Sequence, residues 1–116
     1  MEIKIHSTDK IKIAELVSTD ILVNTIEDGL NLIGDLYYQG FDRIIIYERN
    51  MCPLFFDLKS GFAGELLQKF SNYRMQLTII GDFTNYTNKS LQDFIYESNK
   101  GKQINFLPTL SSALID

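Results

Sequence analysis

Two short apolar runs, DRIIIYE at 42–48 and LTIIGD at 77–82, constrain this chain more than any other feature. Neither alternates. Ile44, Ile45 and Ile46 place branched side chains on both faces of a strand, the pattern of a parallel strand covered on either side. Parallel neighbours need a crossover between them, and FFDLKSGFAGELLQKF at 55–70 supplies one. It meets the polar step Asp57-Leu58-Lys59-Ser60-Gly61 and then sets Ala63, Leu66, Leu67 and Phe70 on one helical stripe.

On the amino-terminal side, IKIHS and KIKIAELV alternate Ile with polar residues across the turn-prone Ser7-Thr8-Asp9-Lys10, which predicts an antiparallel hairpin. From Asn24 the period changes. Ile26, Leu30, Ile33 and Tyr37 fall at helical spacing, Thr25 to Asp28 fits a capping box, and Gly40 suits a left-handed terminating residue. After the second run, Ser90-Leu91-Gln92-Asp93 predicts a third capped helix with Leu91, Phe94 and Ile95 inward and Gly101 at its end. QINFL reads as a fifth strand and TLSSALID as a short closing helix. The predicted fold is one α/β domain over residues 1–116, with a mixed, mostly parallel five-stranded sheet and about four helices in the order β-β-α-β-α-β-α-β-α. No linker, repeat or low-complexity tract interrupts it.

A chain of 116 residues is one domain's length and buries roughly two-thirds of its unfolded surface. With 45% apolar residues, eight Phe and six Tyr, the core needs neither disulfide nor metal. Cys52 is the only cysteine and His6 the only histidine, so one chain cannot assemble an internal disulfide or a Cys/His metal site, and no cofactor is expected. The net charge is −4 and the Lys and Arg residues are scattered, so nucleic acid is excluded as an expected partner, whereas a basic protein would suit. The start, MEIKIHSTDK, lacks the apolar run of a signal peptide, and no later stretch is long enough to span a bilayer; the expected location is cytoplasmic, with no membrane partner.

The element order over nearly the whole chain resembles the STAS domain, the fold of bacterial anti-sigma factor antagonists and of sulfate-transporter cytoplasmic tails. In that family the third strand leads to Asp-Ser-Ser/Thr-Gly and an apolar residue at the start of the second helix, the place held here by Asp57-Leu58-Lys59-Ser60-Gly61-Phe62. Aligned on Gly61, the family's phosphoacceptor serine falls on Lys59 and its aspartate on Leu58, so Asp57 matches only through a one-residue slip. The succession FDLKSG, AGELLQKF, NYR, GDF, DFIYESN and NF is similar to a bacterial family defined as a domain of unknown function, DUF4180, a resemblance that implies no activity.

Six residues stand out as a candidate site: Glu48, Asp57, Lys59, Ser60, Gly61 and Asp82. Ser60 reads first as a helix cap, a bond contributing roughly 0.5–2 kcal/mol, and secondly as a phosphoacceptor at a positive helix end. Lys59 opposes the helix dipole, which suggests pairing with Asp57; its functional alternative is an anion site shared with Ser60 and free N–H groups. Glu48 and Asp82 close the two central strands, where open α/β sheets bind ligands, but with no nucleophile candidate nearby beyond Ser60 and no histidine in sequence reach they are not expected to work as an acid/base pair. Gly61 and Gly64 are expected to let the second helix approach the sheet, and Gly81 to open the turn after its strand. Phe55 and Phe56 are adjacent, so one is expected in the core and the other at the surface. The expected role is a non-enzymatic regulatory module that binds a protein through the loop from Glu48 to Gly61 and the start of the second helix. The alternative is a small-ligand or anion sensor, or an enzyme, using the same rim.

Overall fold

The computed structural model describes residues 1–115. The elements follow the predicted order: β1 (Glu2–Ser7), β2 (Lys12–Val17), α1 (Ile26–Tyr38), β3 (Arg43–Tyr47), α2 (Phe62–Asn72), β4 (Gln76–Ile80), α3 (Lys89–Ser98), β5 (Ile104–Leu107) and α4 (Leu110–Ala113). The closing residue of TLSSALID, Asp116, lies outside the described residues. Single turns of 3₁₀ helix occupy Glu48–Asn50, Pro53–Phe56 and Leu58–Ser60 between β3 and α2, and Phe83–Asn85 after β4.

The strands lie side by side in chain order, β1-β2-β3-β4-β5. Only β1 and β2 are antiparallel. Successive right-handed crossovers that all step in one direction leave their helices on one face of the sheet. The packing agrees: Ile33 and Leu36 of α1 and Leu66 and Phe70 of α2 share one core with Ile44, Ile46, Leu77 and Ile79, and Phe94 and Ile95 of α3 pack against it. Each such side chain, fully buried, contributes about 1.5–3 kcal/mol. The second face has a smaller core of Ile13, Ile45, Ile80 and Ala113, covered by α4. The triple Ile44-Ile45-Ile46 is thus divided between two cores, which is why that run does not alternate.

The α1 capping box forms as predicted, Thr25 Oγ1 accepting from Asp28 N at 3.0 Å and Asp28 Oδ2 accepting from Thr25 N at 3.1 Å. Gly40 terminates the helix at φ 87°. The inward stripe is rotated from the expected one: Gly29, Ile33 and Leu36 are buried, whereas Tyr37 is exposed and meets Tyr73 edge-on at 5.4 Å. Two further corrections concern α3 and α2. Asn88, not Ser90, caps α3, its Oδ1 accepting from Leu91 N at 3.1 Å. Asn and Ser are about equally good caps, and the helix starts two residues earlier than expected, with Leu91 buried in its first turn. Helix α2 begins at Phe62 with Gly61 in the cap position at φ 79°, one residue beyond Ser60.

Close approach occurs at other glycines than expected. A Cβ on Gly61 or Gly64 would meet nothing within 4 Å; one on Gly29 would collide with Leu66 Cδ1, and one on Gly81 would stand 2.7 Å from Glu48 Cβ. Gly29 therefore sets the spacing of α1 and α2. Gly61 is required by its left-handed backbone alone.

Candidate functional site

Parallel pairing of β3 with β4 in the register Tyr47↔Ile80 brings the next residues, Glu48 and Gly81, against each other at the carboxyl ends of the strands. The Glu48 carboxylate accepts a hydrogen bond from the Tyr86 hydroxyl. Burial, this hydrogen bond and the Glu48 charge all raise the tyrosine's pKa, so Tyr86 remains a donor. Asp82, next in line, turns back on its own loop: Oδ1 accepts from Thr84 Oγ1 at 2.5 Å and Thr84 N at 3.1 Å. The Thr84 hydroxyl first and its N–H second hold Asp82 below the usual aspartate range, so this exposed carboxylate stays charged.

The loop from Glu48 to Gly61 is fixed by Asn50, a buried side chain on which sequence reasoning placed no weight. Its Nδ2 donates to Ser18 O and Asp20 O, both at 2.8 Å, and its Oδ1 accepts from Tyr47 N at 3.3 Å. Met51 then forms an isolated parallel bridge with Val23. As expected of the Phe55-Phe56 pair, Phe55 is buried and Phe56 half-buried. Phe56 stacks on Tyr86 with centroids 5.1 Å apart and an interplanar angle of 24°. Aromatic pairs at such separations contribute about 0.5–1.5 kcal/mol each beyond area burial, and this one joins the loop after β3 to the loop after β4. The signal for Tyr86 was an aromatic residue set in the polar run TNYTN.

Ser60 lies on the surface. Its hydroxyl donates to Leu54 O at 2.8 Å and accepts from Phe62 N at 3.1 Å, so it latches the 3₁₀ turn at Pro53–Phe56 to the first residue of α2. The expected acceptance of a first-turn N–H is present, although the cap position itself belongs to Gly61. Asp57 and Lys59 are both exposed and form no ion pair among the described residues, so the expected Asp57–Lys59 pairing is replaced by two solvated charges. The structure thus sets Glu48 against Gly81, the residue before Asp82, and stacks Phe56, the residue before Asp57, on the Tyr86 that bonds Glu48.

Two concavities lie along this rim. A groove of about 280 Å³ is lined by Ile21, Glu48, Arg49, Met51, Pro53, Phe56 and Tyr86. A wider cleft of about 480 Å³ is lined by Asp82, Phe83, Gln92, Ile95, Phe106 and Pro108. Among the described residues no three His, Cys, Asp or Glu side chains gather as metal ligands, and no helix is long and apolar enough to cross a membrane.

His6 lies on β1, away from the rim, and its Nε2 sits 2.9 Å from Glu15 Oε1. Tyr47 Oη donates to the other Glu15 oxygen at 2.8 Å. Glu15 is 4% exposed. Burial pushes its pKa up, but the hydrogen bonds from His6 and Tyr47, aided by the charges of His6 and Lys4, outweigh that and leave it below the usual glutamate range. The alternation in KIAELV places Glu15 on the same face as Ile13, but not its two partners.

The sequence model of the domain of unknown function DUF4180 matches residues 8–115, and the chain belongs to that family. No curated protein shows significant similarity to it.

Proposed function

We propose that this member of the DUF4180 family is a non-enzymatic regulatory module that docks a basic polypeptide segment on the rim at the ends of β3 and β4 and the start of α2. One observation carries the reading: Ile21, a large apolar side chain at 47% exposure, lines a groove together with the stacked rings of Phe56 and Tyr86, and Leu54, next in sequence to the lining residue Pro53, is 51% exposed. Exposed apolar residues beside stacked aromatic rings are what an anchor side chain of a partner fits. In the groove wall Glu48 stands with Arg49, so the preference for a basic partner rests on the exposed Asp57 and Asp82 elsewhere on the rim and on the chain's net charge of −4. Ser60 enters as a latch, since its bond to Leu54 O holds the carbonyl of that exposed residue. The STAS resemblance supports the same surface, because the corresponding loop is the regulatory one in that family; a cytoplasmic bacterial setting accords with it.

Affinity capture with mapped crosslinks tests the proposal. Leu54→Glu, and separately Asp57→Lys with Lys59→Glu, should lose the protein that the parent retrieves while melting within about 1 kcal/mol of it, because exposed charges contribute little to folding. Crosslinks in the parent should join a basic segment to the loop at 48–61. Equal retrieval by folded variants, or crosslinks confined to another face, would refute the docking surface. A second reading, a small-ligand sensor, is favoured by the wider cleft beside Asp82. Its permanent carboxylate disfavours anions there, so a thermal-shift screen should respond to neutral or cationic apolar compounds if that reading holds.

A further inference from the structure

A cleft of about 280 Å³ lies on the opposite face of the sheet from α1, α2 and α3, beside α4. Although the chain is acidic overall, none of the described residues lining this cleft is acidic, and Lys10 and Lys102 are both among them. Its floor is Thr78 of β4, a residue only 1% exposed. Among the described residues no side-chain nitrogen or oxygen is both fully buried and unbonded. The Thr78 hydroxyl bonds to no described residue, so its remaining exposure is into the cleft. A ligand oxygen in the cleft would give this nearly buried hydroxyl a protein-side hydrogen bond.

Beside Thr78, Gln76 uses its amide oxygen to accept from Arg43 Nε at 3.0 Å, which leaves the NH₂ group as the one available to donate. Arg43 is itself held, its Nη1 donating to Ala113 O at 3.4 Å, so it serves as a wall. Ile11, Leu107, Ala113 and Ile115 make the remaining walls apolar. The volume lies at the small end of ligand sites, too small for a nucleotide.

We infer that this cleft binds a small organic carboxylate with a short apolar body: the carboxylate accepts from Thr78 and Gln76 under the field of Lys10 and Lys102, and the body lies against Leu107 and Ala113. The site is separate from the protein-docking rim and stands or falls independently of it.

Benzoate is a suitable probe, with benzamide as its uncharged isostere and inorganic phosphate as an anion without an apolar body. In an NMR titration of the whole chain, benzoate should give saturable shifts in β4, β5 and α4. Benzamide and phosphate should bind about tenfold or more weakly, the ratio expected when a charge-assisted bond or an apolar contact is lost. Thr78→Val replaces the hydroxyl with a methyl of the same shape and should weaken benzoate about tenfold while melting close to the parent, because the hydroxyl bonds to no described residue. Lys10→Gln with Lys102→Gln should weaken benzoate while leaving benzamide unchanged. Absence of saturable shifts in β4, β5 and α4, equal binding of benzoate and benzamide, phosphate binding as tightly as benzoate, or unaltered benzoate affinity in folded Thr78→Val would each overturn the inference.

Discussion

Replacing Gly81 with alanine puts the rim under a defined strain. The new Cβ would stand 2.7 Å from Glu48 Cβ and 2.6 Å from Glu48 Oε1. Ordinary carbon–carbon contact is about 3.5–4.0 Å, so the first separation is short by roughly 1 Å. The carboxylate can swing aside. Glu48 Cβ cannot, because it is fixed to backbone one residue beyond the last β3–β4 pair, Tyr47↔Ile80. Overpacking of this kind costs about 1–3 kcal/mol, and the reduced freedom of the unfolded chain returns about 0.4–1 kcal/mol. The expected net loss is about 1–2 kcal/mol, or roughly 4 °C of Tm per kcal/mol for a domain of this size. Denaturant melts with an unchanged m value measure it. Adding Glu48→Ala removes the Oε1 and Cδ contacts but leaves the Cβ one and should recover a minor part of the loss; Glu48→Gly removes all three and should relieve the strain in full. If Gly81→Ala melts like the parent, or if Glu48→Ala already restores it, the close approach of the two strand ends is not what the glycine protects.

Ser60→Ala removes one donated and one accepted bond and should cost about 1 kcal/mol in a thermal melt; Ser60→Asp can still accept from Phe62 N but cannot donate to Leu54 O, so it should restore only part of the loss. Glu15 has a folded-state pKa below its unfolded value, so its contribution is fully present above the ordinary glutamate range of about 4.3 and is lost as pH falls through the lower folded value. Tm followed from about pH 6 to pH 3 should therefore fall more steeply in the parent than in Glu15→Gln, and parallel curves would show that the His6 and Tyr47 bonds do not favour the carboxylate. His6→Gln should leave capture on the rim unchanged, because the imidazole is bonded to Glu15 on β2; loss of capture in a folded variant would connect the hairpin to the rim.

The strands and crossovers were legible because their signals are local. Ile44 to Ile46 announce burial on two faces within three residues, and Thr25 with Asp28 writes a complete cap within four. Where two local signals compete, as Asn88 and Ser90 do, cap preference alone does not rank them, since Asn and Ser cap about equally well. The rim was legible as a place, since the ends of β3 and β4 and the start of α2 follow from topology. Its chemistry was not. Glu48 meets Gly81 because of strand register, Asn50 fixes the loop through carbonyls about thirty residues earlier in the chain, and Tyr86 reaches Glu48 across a turn; each depends on distant backbone placement that periodicity does not encode. The Thr78 hydroxyl was hidden for a related reason: within LTIIGD a threonine reads as an ordinary β-branched strand residue.

The order β1-β2-β3-β4-β5 also bears on how the chain is built on the ribosome. Each strand docks on the one made just before it, so the growing sheet never holds an empty lane for a strand still to be synthesised, and each new pairing closes a loop no longer than one crossover. Short closures carry small entropic barriers and favour rapid pairing. Strand β5 and α4 then join an already ordered edge, and the cleft beside Thr78, which Leu107 and Ala113 help to line, forms only after they have docked.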